Sequence, residues 1–493
     1  MTISIAALNH NSAIHTAWKY NLGGVKVLRL SSYFILSDRL QNGGYVVLNG
    51  LSGAIELINE SLYQAFNRMI DKKNPHEIYI KENSLPPDIL ETFIKRGHIT
   101  TISHELERTH LKNIAEVFHE QVKKNTNIII VPNLDCNYRC VYCFEKPLQA
   151  KLQTTKTKMD QDNVDAVYYS IDQLASEIGD ISKQITLFGG EPLMSSNLDI
   201  IQYIVDKGFK KGLNFNAVTN GHDLHMFMAL LGKNKIEGLQ ITIDGVKSIH
   251  DKRRVSLDGT SSYERIISNT RQAIAETDVQ IAIRVNLDQT NYQAFEALID
   301  DFYKENWLNN NRISINATIV QQRKDDGTIF LSHDINIVRA ELADLIKKYS
   351  NISIGTEQAI NNDTLISSLL FGKPYRLRSS FCSASSGMYI FLPNGNISSC
   401  WEALDDEYSH IGTYSKNGVS LDKQKTTYKF GRSAAEIPEC LDCKYCLVCA
   451  GGCARHANYN SNDIYKPYCG NFPQTYAWVL ADAVEKYLKA SGF

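Results

Sequence analysis

Residues 136–144 have the sequence CNYRCVYCF, in which three cysteines follow the spacing CxxxCxxC. They come just after an apolar, β-branched run at 128–131, which Pro132 and Asn133 end. A short run of this kind between turn residues predicts a buried strand, so the cysteines lie on the loop that leaves its carboxyl end. That edge is where α/β sheets place their reacting groups.

Three thiolates so close together can hold a metal ion or an iron–sulfur cluster. A structural zinc site needs a fourth protein ligand. A [4Fe–4S] cluster held by three cysteines keeps one iron open for a cofactor or a substrate. Three unconnected buried thiols are the plainer alternative, since free cysteine often packs in cores. Packing alone, however, does not explain the regular spacing.

The composition excludes several classes of protein. A chain of 493 residues predicts two or three domains, and 43% apolar with 22% charged residues is typical of a soluble globular protein. A formal net charge of −2 argues against a general nucleic-acid or membrane-surface binder. The first thirty residues lack a secretory pattern, and no apolar run approaches the roughly 18 residues of a membrane span, so we expect a cytoplasmic protein. Eleven cysteines in that reducing compartment indicate metal binding or catalysis.

From residue 127 to about 345, strand-like runs alternate with amphipathic helical patterns, which predicts a parallel sheet. The predicted strands are 127–131, 184–188, 214–219, 239–243, 280–286 and 313–319, and the predicted helices are 161–178, 198–208, 263–277 and 291–305. In such a sheet the carboxyl ends of the strands carry the site.

Polar motifs stand at the ends of these strands. Residues 189–192 are GGEP, residues 219–221 are TNG, and residues 242–254 are TIDGVKSIHDKRR. Two glycines let the backbone approach a ligand, and a carboxylate such as Glu191 can bind an ammonium group. An arginine fork such as that of Arg254 suits a carboxylate. We expect these groups to lie beside the cysteine loop.

The cysteine loop and these motifs resemble the radical S-adenosylmethionine (SAM) superfamily. The resemblance implies a partial (β/α)6 barrel, with a [4Fe–4S] cluster on Cys136, Cys140 and Cys143 whose open iron binds SAM. It also implies that SAM is contacted by Tyr142, Gly190, Glu191, Thr242, Arg254 and Arg284. Reductive cleavage of SAM would then yield a 5′-deoxyadenosyl radical that removes a hydrogen atom from the substrate.

A second cysteine framework begins at Cys382. It has the pattern C-x12-G-x4-C up to Cys400, then C-x2-C-x5-C-x3-C from Cys440 to Cys453, and finally Cys469. A zinc ribbon would also use C-x2-C pairs. The complete pattern resembles the SPASM extension of radical SAM maturases, which implies two auxiliary [4Fe–4S] clusters. The implied ligands are Cys382, Cys400 and Cys453 for the first cluster, and Cys440, Cys443, Cys449 and Cys469 for the second.

Two details of this framework stay open. The first auxiliary cluster has three cysteines, and residues 383–388, SASSGM, offer no fourth. One iron is therefore open to a substrate thiolate or held by a non-cysteine group. Cys446 lies inside the x5 gap and is either a substitute ligand or a core thiol, of which we favour the core thiol.

The N-terminal region predicts a small module. Residues 33–48 have a hairpin pattern, a third strand is possible at 54–58, and helices are predicted at 60–70 and 87–96. A winged-helix-like module of this kind is either a structural cap or a docking surface. Its layout resembles the leader-peptide recognition elements of enzymes that modify ribosomal peptides, where a leader can add as a strand to a sheet edge.

We therefore predict an α/β protein with five segments. They are the N-terminal winged-helix-like module (1–102), a linking helix (103–126), the radical SAM core (127–345), a bridge (346–378) and a SPASM domain with two auxiliary clusters and a C-terminal helix (379–493). The resemblance implies three [4Fe–4S] clusters and SAM as cofactors. It implies a low-potential electron donor such as flavodoxin or ferredoxin.

The resemblance implies an oxidoreductase that matures a ribosomally made precursor peptide by a thioether or carbon–carbon crosslink. Peptide epimerisation begins with the same hydrogen abstraction. Anaerobic sulfatase maturation, which oxidises Cys or Ser to formylglycine, is another alternative. Such maturases begin close to their first cysteine motif and carry an aspartate after the second SPASM cysteine, where this chain has Trp401 and Glu402. A zinc-binding interaction protein with a decayed barrel is the non-enzyme alternative.

Overall fold

A computed structural model of the chain describes residues 3–4, 27–70, 76–81, 84–146, 156–179, 181–323, 329–332, 334–349, 351–355, 378–404, 406–470 and 472–491. The chain divides into two compact units, each built from separate stretches of sequence. The first unit comprises Met1–Glu120, Glu357–Cys382 and Arg432–Phe493, and the second comprises Gln121–Thr356 and Ser383–Gly431. Most of the predicted bridge at 346–378 lies outside the described residues.

The described strands are numbered in chain order. They are β1 (Ile3–Ser4), β2 (Leu28–Leu30), β3 (Phe34–Leu36), β4 (Tyr45–Asn49), β5 (Ile55–Ile58), β6 (Tyr79–Ile80), β7 (Ile99–Thr100), β8 (Thr126–Asn133), β9 (Tyr138–Cys140), β10 (Ile181–Gly189), β11 (Asn214–Thr219), β12 (Ile236–Thr242), β13 (Arg254–Ser256), β14 (Gln280–Leu287), β15 (Ile313–Ile319), β16 (Gln321–Arg323), β17 (Ile329–Leu331), β18 (Ile352–Gly355), β19 (Met388–Phe391), β20 (Asn396–Ser398), β21 (His410–Ser415) and β22 (Gly418–Leu421).

The described α-helices are numbered in the same way. They are α1 (Glu60–Met69), α2 (Pro87–Lys95), α3 (His104–Lys123), α4 (Gln161–Ile178), α5 (Leu198–Lys210), α6 (Lys247–Arg253), α7 (Ser262–Glu276), α8 (Phe295–Lys304), α9 (Ile335–Glu341), α10 (Ala343–Lys348), α11 (Lys423–Phe430), α12 (Pro438–Leu441), α13 (Cys446–Cys449), α14 (Ala454–Ser461) and α15 (Phe472–Ala490). No helix in the described part of the chain is both long and apolar enough to cross a membrane.

The first unit joins the two ends of the chain around a common core. Strands β3, β4 and β5 form an antiparallel sheet at the predicted hairpin, and α1 and α2 cover it through Phe66 and Phe93. On the other side, Val46 and Leu48 of β4 pack against Leu480 of α15. Successive apolar residues of β4 therefore pack alternately against α1 and α2 on one face and against α15 on the other, as expected for a strand that is buried on both faces.

The second unit is built on one large sheet. Its strand order is β18-β15-β14-β12-β11-β10-β8-β19-β20-β21-β22, in which the strands from β18 to β19 run parallel. The six predicted strands are present as β8, β10, β11, β12, β14 and β15. The parallel part of the sheet also gains β18 and β19 at its two ends, beyond the six strands that the sequence predicts, and β20, β21 and β22 continue the sheet antiparallel. The predicted α/β class with a parallel core is confirmed.

The helices of this unit begin and end at recognisable signals. Asp160 caps α4 in a reciprocal capping box with Asn163, and Ser261 caps α7. The predicted helix at 291–305 begins later, at Phe295, after a short 3-10 turn. The side chain of Asn291 instead donates to the carbonyls of Asp244 and Asn286, which ties the start of this segment to the ends of two strands.

Candidate functional site

The cysteine loop follows β8 and is anchored by a two-stranded ribbon. Strand β9 pairs antiparallel with β13, and Cys140 stands directly opposite Arg254 in this pairing. Val141 N–H donates to the carbonyl of Arg253 at 2.9 Å, which continues the ribbon past the strand. The ribbon therefore brings the arginines of the 242–254 motif against the cysteine loop.

The three thiols of the loop interact with one another. Cys140 interacts electrostatically with both Cys136 and Cys143. The sulfur of Cys136 accepts the Tyr138 N–H at 3.4 Å and the side-chain amide of Asn220 at 3.8 Å. Burial raises the pKa of all three thiols, that of Cys143 to about 11. They become thiolates only beside a bound cationic centre, as a metal or cluster would provide.

The residues of the loop fit an iron–sulfur cluster better than a single ion. Within the described ranges, no group of three or more His, Cys, Asp or Glu side chains is placed to hold one metal ion. A four-iron cluster is larger than one ion, and its ligating sulfurs stand correspondingly farther apart. Three neighbouring soft thiols and no fourth are the donor set of a cluster with one open iron.

The two glycines after β10 allow a close approach to the cysteine loop. A Cβ atom on Gly190 would lie 2.2 Å from the Asp135 carbonyl oxygen, and one on Gly189 would lie 2.3 Å from that of Asn133. In this arrangement Glu191 N–H donates to the Asp135 carbonyl at 2.9 Å. The backbone of this motif therefore contacts the cysteine loop. The predicted backbone contact of Gly190 with SAM stays a prediction.

Glu191 has a buried carboxylate, 2% exposed, that is held by three donors. Its oxygens accept the Thr219 hydroxyl at 2.6 Å and the N–H groups of Leu193 at 2.8 Å and Asn220 at 2.5 Å. Burial raises its pKa to about 7, although these hydrogen bonds and Arg254 favour the ionised form. A bound ammonium group would hold this carboxylate ionised at neutral pH.

Tyr142 is the centre of a polar network on the opposite side of the loop. Its hydroxyl donates to the buried Asp244 carboxylate and accepts from Arg254 at 2.8 Å and Asn286 at 3.3 Å. The Arg253 guanidinium lies 5.0 Å from the centre of the Tyr142 ring. This aromatic position of the motif is therefore held by residues at the carboxyl ends of β12 and β14 and by Arg254, the first residue of β13.

Thr242 and Arg284 are neighbours at the carboxyl ends of β12 and β14, where their Cα atoms pair in register. The Arg284 side chain donates to the Asn286 side-chain oxygen at 3.0 Å. All nine residues predicted for the cysteine loop and SAM contacts thus belong to the second unit, either on its strands or in the loops that follow them. Their roles as ligands stay predictions.

Three residues contact the site without having been given a role from the sequence: Asn220 and Asp244, which lie in the motifs at 219–221 and 242–254, and Asn286, which lies in no quoted motif. Asn220 donates to the Cys136 sulfur and to the Asn137 side chain at 2.7 Å. Asp244 and Asn286 hold Tyr142, and Asn286 N–H donates to Asp244 at 2.9 Å. A signal was present for Asn286, which lies two residues after Arg284 and so on the same face of its strand.

The C-terminal cysteines are brought together in the first unit. Each pair among Cys440, Cys443, Cys449 and Cys469 interacts electrostatically, and burial raises the pKa of all four. Cys446 is also buried there, in a core cluster with Tyr33 and Leu111. Cys382 and Cys453 belong to the same unit, and Cys400 belongs to the second unit.

Comparison with known proteins agrees with this geometry. The sequence pattern of the radical SAM superfamily matches residues 130–302. The chain is 21% identical over 451 residues to the radical SAM cyclopropyl synthase TigE of Paramaledivibacter caminithermalis, covering 86% of this chain and 89% of TigE. It is 22% identical over 348 residues to the cysteine-type anaerobic sulfatase-maturating enzyme of Clostridium novyi, covering 68% of this chain and 90% of that one.

A solved structure shares the fold. The structure of native anSMEcpe with bound AdoMet and the Kp18Cys peptide aligns with a TM-score of 0.54 and 15% identity, covering 75% of this chain and 99% of that chain. The matched residues 130–302 contain the cysteine loop, the buried glutamate and the tyrosine network, all at the carboxyl edge of a parallel sheet. A domain of this family uses SAM and a [4Fe–4S] cluster. Residues 130–302 are therefore a radical SAM domain.

Proposed function

We propose that this protein is a radical SAM enzyme that matures a ribosomally made peptide by forming a thioether or carbon–carbon crosslink. The observation that carries the proposal is the combination of the Cys136–Cys140–Cys143 loop with a second group of four mutually interacting thiols outside the radical SAM domain. Similarity to TigE, a cyclopropyl synthase, extends over 86% of this chain and so well beyond that domain. A cyclopropyl group contains a new carbon–carbon bond, which supports the carbon–carbon form of the proposal.

The residues of the radical SAM domain have separate tasks in this proposal. Cys136, Cys140 and Cys143 would hold the cluster, and Glu191 would accept the ammonium group of SAM. Arg254 would bind the SAM carboxylate while keeping Tyr142 in place. With SAM bound, the reduced cluster supplies a carbon radical able to remove a hydrogen atom from the peptide.

Two auxiliary clusters complete the proposal. The four mutually interacting thiols of Cys440, Cys443, Cys449 and Cys469 form a complete soft donor set for one [4Fe–4S] cluster. Cys382, Cys400 and Cys453 stay the proposed ligands of the other. Forming a crosslink removes two hydrogen atoms from the peptide. The radical derived from SAM would take the first, and the second would leave as a proton and an electron, which an auxiliary cluster would accept. A low-potential donor such as flavodoxin or ferredoxin would supply the separate electron that cleaves SAM.

The precursor peptide is proposed to dock through its leader on the N-terminal module. The four-stranded sheet β1-β5-β4-β3 of the first unit ends at β3, whose outer edge can accept a further strand. The residues proposed to contact SAM do not recognise the sequence of the peptide. A separate docking site would therefore select the correct peptide and bring it close to the radical.

Formylglycine formation is the second candidate, because the Clostridium novyi relative is a sulfatase-maturating enzyme. The position after Cys400 argues against it. Trp401 stands there, 42% exposed, with its ring centre 5.7 Å from that of Phe188. An indole cannot remove a proton as an aspartate would, so the oxidation would need another base.

Mass spectrometry of peptides separates these reactions. The enzyme is co-expressed under anaerobic conditions with each small open reading frame encoded beside its gene, in ordinary and in deuterated water. Loss of two hydrogens, with a link located by fragmentation, supports crosslinking. Uptake of one solvent deuterium without that loss indicates epimerisation, and a new aldehyde indicates formylglycine. Cys140→Ala must abolish any change and Cys446→Ala must not.

A further inference from the structure

Arg432 is a fully buried cation, 0% exposed, in the first compact unit. Its guanidinium donates to four main-chain carbonyls, those of Gly451 at 2.9 Å, Gly452 at 3.0 Å, Lys466 at 3.3 Å and Ile464. A buried guanidinium normally pairs with a carboxylate, because removing its charge from water is costly. Here four carbonyl groups accept hydrogen bonds from the guanidinium, but they do not neutralise its positive charge.

The carbonyls that Arg432 binds belong to two cysteine-bearing segments. Gly451 and Gly452 lie in the turn between Cys449 and Cys453, whereas Ile464 and Lys466 lie in the segment that leads to Cys469. The two segments touch directly, since Tyr468 N–H donates to the Gly451 carbonyl at 3.0 Å. A Cβ on Gly452 would lie 1.9 Å from the Tyr468 carbonyl oxygen. Arg432 therefore ties the turn before Cys453 to the residues before Cys469.

The turn needs such a restraint. Its three central residues, Ala450, Gly451 and Gly452, all have left-handed backbones, with φ values of 56°, 77° and 70°. Ala450 carries a Cβ and so adopts this conformation at a cost of roughly 1–2 kcal/mol. Strained backbone persists only where surrounding contacts hold it. The hydrogen bonds from Arg432 to both glycine carbonyls are contacts of that kind.

The groups that interact electrostatically with the Arg432 guanidinium are cysteine thiols. Burial lowers the pKa of its guanidinium, and Cys453, Cys440, Cys382 and Cys449 oppose that effect. A Cβ on Gly451 would lie 3.5 Å from the Arg432 Nη2 atom and 3.6 Å from the Cys440 sulfur, so the guanidinium lies within about 7 Å of that thiol. Arg378 also interacts with Cys449 and Cys382. A cluster with four thiolates is an anion, and these buried cations would balance it.

We propose that Arg432 is a positioning residue for the auxiliary cluster on Cys440, Cys443, Cys449 and Cys469, fixing two of its cysteine-bearing segments and supplying its counter-charge. This role rests on the auxiliary clusters of the proposed function. A nearby positive charge favours the more negative, reduced state of a cluster. Arg432 therefore raises the reduction potential of this cluster as well as its retention.

The test uses the full chain, reconstituted anaerobically, in four forms. Arg432→Met removes both the charge and the hydrogen bonds, and Arg432→Lys keeps the charge but cannot span two segments. Arg29→Lys is the matched control. Arg29 is also buried, 4% exposed, in the same unit and also binds carbonyls, but it pairs with Glu107. Iron per chain, the low-temperature EPR spectrum of the reduced protein and the midpoint potentials are measured.

With three clusters the wild type and Arg29→Lys hold about 12 irons per chain. We expect Arg432→Met, which removes both the charge and the hydrogen bonds, to lose about four of these irons. Arg432→Lys, which keeps the charge but not the link between the two segments, should show an altered EPR signal for one cluster and a midpoint potential close to that of the wild type. Should Arg432→Met fail to fold, Arg432→Lys alone decides. Iron, spectrum and potentials equal to wild type in the Arg432 variants would overturn the role of Arg432. A wild type with about four irons would instead overturn the three-cluster proposal itself.

Discussion

Arg254 lies directly opposite Cys140 in the β9–β13 ribbon, and its guanidinium donates to the Tyr142 hydroxyl at 2.8 Å. Burial by itself would lower its pKa, but Cys140, Tyr142 and Asp244 raise it well above the usual value for arginine. The cysteine loop is thus folded against a permanent positive charge. The same charge can attract the carboxylate of a cofactor, so loop position and cofactor binding depend on one residue.

Replacing Arg254 with lysine should weaken SAM binding. Arg254→Lys keeps the charge but loses the planar fork, so we expect SAM to bind at least about tenfold more weakly, or about 1.4 kcal/mol. Equilibrium dialysis with the reconstituted enzyme measures this. Arg139→Lys is the control, because Arg139 lies on the same ribbon but is exposed and 3.5 Å from Asp135. Equal SAM affinity in Arg254→Lys and wild type would contradict the proposed contact.

The cysteines should separate into ligands and a core thiol. We expect Cys140→Ala to lose about four irons per chain, because one [4Fe–4S] cluster is lost. Cys446→Ala should keep all its iron and lose about 1 kcal/mol of the free energy of unfolding, since it leaves a small cavity in the core. Colorimetric iron determination and urea unfolding check both values. A loss of iron in Cys446→Ala would make this residue a ligand.

Gly190 should tolerate no side chain. In Gly190→Ala the new methyl group would lie 2.2 Å from the Asp135 carbonyl and 2.6 Å from that of Leu134, so the loop that carries Cys136 must move. We expect loss of the loop's iron and of about 1–3 kcal/mol in the free energy of unfolding. Gly212→Ala is the control for iron content only. Nothing lies within 4 Å of its Cβ position, but its φ of 72° makes alanine unfavourable there, so its stability is expected to fall as well. Full iron retention by Gly190→Ala would mean that the loop adapts at no cost.

His250 should make the second unit sensitive to acid. Its Nδ1 accepts the Asp244 N–H at 3.2 Å, and burial together with Arg254 lowers its pKa to about 3, although Asp251 opposes this. Between pH 6.5 and 3 the unfolded chain therefore binds a proton that the folded chain does not. Stability that is present above pH 6.5 is lost as the pH falls, by about 1.4 kcal/mol per pH unit.

Urea unfolding at pH 6.5 and 5.5 tests this expectation. His250→Asn keeps a side-chain oxygen that can accept the Asp244 N–H but cannot titrate. The loss of unfolding free energy between the two pH values should be about 1 kcal/mol smaller in His250→Asn than in wild type, because the imidazole of the unfolded chain is already half protonated at pH 6.5. His225, which is exposed, gives the control His225→Asn. An identical pH dependence in His250→Asn and wild type would show that another group carries it.

The sequence predicted the bounds of helices and strands better than it predicted which residues hydrogen-bond to one another. The strand at 214–219 and the helix at 161–178 have their predicted bounds, because alternation of apolar residues and capping residues act locally. The helix predicted from 291 begins at Phe295, and the side chain of Asn291 donates to the carbonyls of Asn286 and Asp244 instead. The Asp244 carbonyl is 47 residues away in sequence, so no local pattern could reveal that contact.

By itself the sequence determined the fold class and where the chemistry lies along the chain. The local features are the spacing of the thiols, the paired glycines and the carboxylate that follows a strand. Each of them limits which cofactor or ligand a loop can bind. Only the tertiary structure decided that Arg254 faces Cys140, that β19 extends the sheet beside β8, and that Arg432 spans two cysteine-bearing segments. These relations join residues that are distant in sequence, and the free energy of packing and of buried charge selects them only once the whole chain is folded.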